Sequence, residues 1–282
     1  MPNLMLWSQA LLSTFIVSII PILFLFLVPL LKSKNKEGSL NVSGKWLNWF
    51  LCFAAGALLG DAFLHLISGH DHSHSHENIH EHGNGLAILT GILVFFGIEL
   101  FSSGSSSCHS HSHSTKKSDD SAASASTSHS HGVNGFLSLI ADAIHNFTDG
   151  LTIAAAWAQS TSAGISTTIA IFVHEIPHEL GDYAVLTRAG YTHVQVLKCQ
   201  FMTAASAFLG TFIGLLLQSS KNSTLLVAFK SILPFSAGGF IYLALASIVP
   251  EILRAKQGNC RKSAMAQFVV FSMGIILMTI LE

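Results

Sequence analysis

The sequence predicts an all-α, polytopic membrane protein, a single transmembrane domain over 1–282 with eight transmembrane helices. Three observations predict it. Half of the 282 residues are hydrophobic and only 10% are charged, whereas a soluble domain carries about 25% charged residues. The mean hydropathy is +0.54. The apolar residues also form continuous runs of the roughly 20 residues that a helix needs to cross a bilayer, not the alternating pattern of a β-barrel. So few charges cannot coat a soluble enzyme. A net charge of −1 leaves no basic footprint for nucleic acid. The expected surroundings are a lipid bilayer.

The spans are expected at 6–31, 46–68, 86–102, 135–158, 164–187, 197–218, 229–250 and 265–281. The first lacks a basic leading segment and a small-residue cleavage site, so it is read as a helix and not as a signal peptide. The second contains GALLGDAFLHL, with Asp61 and His65 four residues apart at its outer end. Such a pair is either interfacial or a relay by which a cation reaches the interior. Segment 69–85 follows, read as a His-rich loop facing the lumen or outside; 103–134 is a His/Ser-rich loop facing the cytosol. Both are too polar and repetitive to form a core. Imidazole is the commonest nitrogen donor to metals, so weak metal capture is expected of both.

The orientation follows from the basic residues, which favour cytosolic loops. With the N-terminus outside, Lys32, Lys34, Lys36, Lys45, Lys116, Lys117, Arg188, Lys198, Arg254, Lys256, Arg261 and Lys262 lie on the cytosolic side, leaving only Lys221 and Lys230 opposite.

The fourth and fifth spans carry the chemistry. In FLSLIADAIHNFTDG, Asp142, His145, Asn146 and Asp149 fall at i, i+3, i+4 and i+7, on one helix face. In HEIPHELGD, His174, Glu175, His178, Glu179 and Asp182 cluster on one side, and Pro177 frees the carbonyl of Val173. Ionisable groups in lipid cost at least a few kcal/mol each, so they must face protein, water or a cation. A buried polar network that joins helices is the structural alternative, but two carboxylates on one stripe repel unless a cation or proton lies between them. Mixed nitrogen and oxygen donors suit Zn²⁺, Fe²⁺ or Mn²⁺, whereas Ca²⁺ and Mg²⁺ prefer oxygen alone. HEIPH at 174–178 also matches the HExxH motif of zinc proteases. An intramembrane protease is therefore the competing expectation, opposed by Pro177 within the motif and by the surplus of acids.

HNFTDG at 145–150 resembles the fourth-helix motif HNxxDG or HNxPEG of the ZIP zinc transporter family. HEIPHELGD at 174–182 is similar to the fifth-helix signature of its histidine-rich branch, and GALLGDAFLHL at 56–66 to that branch's second helix. The resemblance covers nearly the whole chain and looks closest to KE4-like members of the endoplasmic reticulum and Golgi. It implies a ZIP-like bundle that carries Zn²⁺ into the cytosol as transported substrate, with no catalytic residues and no cofactor. It also implies a binuclear site between helices four and five. One metal would take His145, Asp149 and His178; the other would take Asn146 and Glu175, with His178 as a bridge. His174, Glu179 and Asp182 belong to the same signature, with Asp61, His65 and Asp142 as the access relay. Some relatives place a carboxylate on the sixth helix, where this chain has Gln200 and Thr203. The resemblance allows a homodimer and favours an endoplasmic reticulum or Golgi membrane over the plasma membrane.

Overall fold

The computed structural model describes residues 4–27, 44–67, 80–104, 120–218, 232–254 and 261–281. Within lipid, a helix is the one open-ended element that satisfies its own backbone groups, and the described residues form eight rods and no strand. These are α1 (Leu4–Leu27), α2 (Gly44–Gly60, continued by a π-helical stretch Asp61–Ile67), α3 (His80–Gly104) and α4 (Asp120–Gln159). They continue with α5 (Thr161–Arg188), α6 (His193–Gln218), α7 (Ile232–Arg254, π-helical over Leu243–Ile248) and α8 (Arg261–Leu281).

Each expected span coincides with one rod. Two rods begin well before their expected bounds. The α3 backbone starts at His80 and the α4 backbone at Asp120, so the ends of both His-rich segments are helical; 68–79 and 105–119 lie outside the described residues. Six rods are long and apolar enough to cross a membrane. The other two, α4 and α5, fall short because they carry the buried acids Asp142, Asp149, Glu175, Glu179 and Asp182.

The rods sort into two groups. α1, α4, α5 and α6 pack on one another, with α4 against α6 as the most extensive contact. α2, α3, α7 and α8 form the second group, through the pairs α2 with α8 and α3 with α7. The tight pairs close on glycine. A Cβ at Gly150 would overlap the Ala207 carbonyl, one at Gly56 the Phe271 carbonyl, and one at Gly238 the Ile88 carbonyl. Small residues let backbones approach closely where lipid supplies no hydrophobic drive between helices. The groups meet mainly where α2 lies along α5. Leu86, Leu93 and Phe101 of α3 and Met265, Phe268 and Ile280 of α8 are exposed on the outside of the bundle, as lipid-facing side chains should be.

A single residue, Ser160, separates α4 from α5. Its side chain accepts a hydrogen bond from the Ala163 backbone N–H at 3.1 Å and caps α5. So short a turn makes the two helices an antiparallel hairpin and brings their polar faces together. At the far end of α5, Gly190 takes φ +94 and turns the chain into α6.

Candidate metal site

His145 is at the centre. It is fully buried on α4, and its Nε2 stands 3.4 Å from Glu175 Oε1 and 3.6 Å from Asp149 Oδ2. His174 closes this group, with its Nε2 3.2 Å from Asp149 Oδ2 and 3.9 Å from Glu175 Oε1. One ligand atom from each of His145, Asp149, His174 and Glu175 lies within 4.8 Å of the others. Donors held at 2.0–2.2 Å on a tetrahedral ion are about 3.3–3.6 Å apart, so the separations already approach those of a coordination shell.

A second group, Asp61, His145 and His178, meets the same 4.8 Å limit. His178 Nε2 is 3.7 Å from Asp61 Oδ2, and the His145 and His178 rings stack at 4.6 Å. The two groups share His145, whereas the family resemblance implied His178 as the bridge. The difference is one of helix phase: His174 and Glu175 face Asp149, while His178, one turn further along α5, faces α2.

Asp61 corrects the sequence expectation most. The sequence reads it as an interfacial group or as a relay toward the interior, and the interfacial reading does not hold. It is instead 1% exposed and directly beside His178. The π-helical stretch of α2 begins at Asp61, and π turns inside α-helices are frequent at functional sites. His65 lies in the same stretch, but its side chain is outside the described residues.

The remaining expected ligands do not join either group. Asn146 Nδ2 donates to Asp142 Oδ1 at 2.8 Å and to the Asp142 carbonyl at 3.2 Å. Asp142 is therefore tied to its own helix. Glu179 accepts from Gln200 Nε2, and Asp182 accepts from the Ser138 hydroxyl. All four are buried. Glu179 and Asp182 point to these neighbours because each is offset along α5 from His174 and His178.

Phe240 of α7 was not foreseen. Its ring packs 5.0 Å from His145 and 5.1 Å from His178, walling the site with an apolar face. One Phe in an apolar helix carries no sequence signal. Ser138 was missed for a related reason, since a lone serine in a span usually bonds its own backbone.

The site must also be tested against a protease. In an HExxH enzyme both histidines bind one zinc and the glutamate acts as base on a water. Here His174 and His178 fall in different donor groups, and Glu175 Oε1 is itself among the donors around His145. The protease geometry is not formed.

Comparison with known proteins agrees. The family model described as ZIP Zinc transporter matches residues 4–282. Zinc transporter YKE4 of Saccharomyces cerevisiae is 33% identical over 287 residues, 97% of this chain and 80% of the relative. Zinc transporter ZIP13 of Pongo abelii is 32% identical over 283 residues, 97% of this chain and 78% of the relative. Zinc transporter SLC39A7 of Homo sapiens is 33% identical over 319 residues, with 88% of this chain matching 66% of the longer relative. The spacing of donors on α4 and α5, the helical bundle around them and a match over almost every residue converge: this chain belongs to the ZIP zinc transporter family.

Proposed function

We propose that this chain moves Zn²⁺ across a membrane into the cytosol through the histidine centre formed by α2, α4 and α5. It is a multi-pass membrane transporter and not an enzyme. The observation that carries the site assignment is a set of buried donors lacking hydrogen-bond partners. His145 Nδ1 and Nε2, His178 Nε2, Glu175 Oε1 and both Asp61 carboxylate oxygens have none among the described residues. Buried polar groups are nearly always satisfied. Six such atoms in one place fit a site built to exchange its bonds with a cation.

The donor set also suits release. It holds no cysteine, and thiolates are the ligands of closed, structural zinc sites. Two groups sharing His145 support one ion handed between adjacent positions, or two ions at once. Asp149, His174 and Glu175 would hold the first position, and Asp61 with His178 the second. The two-group architecture supports alternating access, with one group of helices displaced against the other along the α2–α5 contact. Resemblance to the KE4-like branch supports placement in the endoplasmic reticulum or Golgi membrane, and assembly as a homodimer.

The test is zinc flux into vesicles containing only the purified chain. Wild-type protein should accumulate zinc; His145→Ala should not, with helical content and melting retained. Equal flux by both proteins would refute the site.

A further inference from the structure

Three buried carboxylates stand apart from the histidine centre and are not needed by it. Asp142 precedes His145 by three residues on α4, and Asp182 follows His178 by four on α5, so each is about one 5.4 Å turn away. Glu179 lies beside them, and Asp142 is within electrostatic reach of both Glu179 and Asp182. All three are more than nine-tenths buried. No Lys or Arg among the described residues pairs with any of them; Arg188, on the same helix, is engaged by Glu251 and Asn48.

Each carboxylate is steadied by one neutral donor: Asn146 for Asp142, Gln200 for Glu179 and Ser138 for Asp182. A single neutral hydrogen bond does not compensate a buried negative charge, let alone three. A separate observation comes from α6. Gln200 is fully buried, its Nε2 is spent on Glu179, and its Oε1 has no partner. Asp142 Oδ2 is likewise unpartnered. Two oxygens from different helices are thus left open beside the acids.

We propose that Asp142, Glu179 and Asp182, with the side-chain oxygen of Gln200, form an oxygen-donor station for a hydrated divalent cation, one helical turn from the histidine centre. It extends the transport reading above and rests on it. The station lies on the side where α5 runs out toward Arg188 and α4 begins. Its donors are hard, and they do not converge within 4.8 Å as the histidine groups do. A cation there would keep part of its water and be held weakly, as an ion leaving a nitrogen-rich site should be. The histidine centre would select the ion, and the station would draw it onward.

The test uses the full purified chain, with Zn²⁺ and Mn²⁺ as probes. In Glu179→Gln/Asp182→Asn, maximal zinc flux should fall at least about tenfold while the tightest equilibrium zinc affinity changes less than about threefold. With His145→Ala as background, Mn²⁺ should still bind and give a paramagnetic resonance signal without coupling to imidazole nitrogen. Adding Asp142→Asn and Asp182→Asn should abolish that signal. Unchanged flux in the first variant, or undiminished Mn²⁺ binding in the second, overturns the station. Should the double variant fail to insert, Gln200→Leu leaves all three carboxylates in place. It should lower flux about threefold at constant zinc affinity, and unchanged flux would again overturn the proposal. His145→Ala that still bound zinc tightly and carried it would instead refute the histidine centre, and the Mn²⁺ signal would decide the station separately.

Discussion

The two groups of helices are built alike and equipped differently. In each, backbones close on glycine: Gly150 and Gly210 join α4 to α6, while Gly56 and Gly274 join α2 to α8. Yet among the described residues the group of α1, α4, α5 and α6 holds nearly all the donors, and the group of α2, α3, α7 and α8 contributes one, Asp61. Between them, the approach at Gly181 is limited only by the Ala54 methyl. Within each group a glycine faces a backbone carbonyl, whereas at Gly181 the contact between the groups faces a side-chain methyl. In the proposed transport cycle one half would carry the ion, and the other would meet it with the Asp61 carboxylate and the apolar face of Phe240.

Removing the donor shared by both ligand groups should produce the largest effect. His145→Ala should weaken tight zinc binding about 100-fold or more, beyond the 10- to 100-fold typical for loss of a supporting partner. Titration calorimetry on the detergent-purified chain measures it, and a loss under tenfold would remove His145 from the centre.

Acid should act on the same half. A zinc-bound imidazole must be neutral, and a histidine of ordinary acidity gains its proton below about pH 6.5. The sign is therefore fixed: affinity falls as pH drops. Each histidine ligand adds about tenfold per pH unit below the point at which it gains its proton. Raising zinc should shift the midpoint lower, since bound metal opposes protonation. Flat affinity between about pH 5 and 7.5 would contradict histidine ligation.

Asp61→Asn probes the contribution from across the contact. Zinc affinity should drop about tenfold, because His145, Asp149, His174 and Glu175 remain. The larger change should appear in flux, since among the described residues Asp61 is the donor that links the site to the second half. Affinity and flux falling by the same factor would remove that distinction.

Glycine substitutions separate the two kinds of contact. Gly210→Ala forces a methyl onto the Phe147 carbonyl and should cost about 1–3 kcal/mol, the usual penalty of overpacking. Gly181→Ala meets only the Ala54 methyl and should cost less while slowing transport. Melting temperatures and flux on the two variants give the comparison; a reversed order of stability would mean that the contact between halves is the rigid one.

The smallest effect concerns the ion pair that spans both groups. Arg188 of α5 contacts Glu251 of α7 at 2.5 Å and donates to Asn48 of α2 at 2.7 Å. Arg188→Ala should change stability by about 1 kcal/mol or less, as a part-exposed pair does. Flux should shift a few-fold as the balance between the two arrangements moves. Arg188→Lys should recover only part of it, because one ammonium cannot reproduce the planar fork.

Much of this was legible in the sequence. Uninterrupted apolar runs gave eight helices, because lipid permits little else. The i, i+3, i+4 and i+7 spacing gave the polar face of α4, and the fifth-helix cluster gave its counterpart. What periodicity determines, however, is an angle about one helix axis. It does not say which neighbour lies across that face, so the split into two donor groups and the engagement of Glu179 by Gln200 stayed hidden. The burial of Asp61 beside His178 stayed hidden for the same reason, since spacing on α2 does not name the side chain across from it. Phe240 could not be distinguished from any other apolar residue of its helix.

The irregular stretch at Asp61 bears on how such a chain can change over evolution. A π-helical bond joins residues one further apart than an α-helical bond, so the stretch accommodates a residue that a regular helix would not. Deleting one residue after Asp61 in this stretch would let α2 run on as ordinary α-helix, with its glycine contacts to α8 intact below Gly60. Asp61 directly follows Gly60 and would keep its place beside His178, while the residues after it would change their facing. At this place a single codon lost, with Asp61 and the glycine contacts left in place, would change only how the chain leaves the helix.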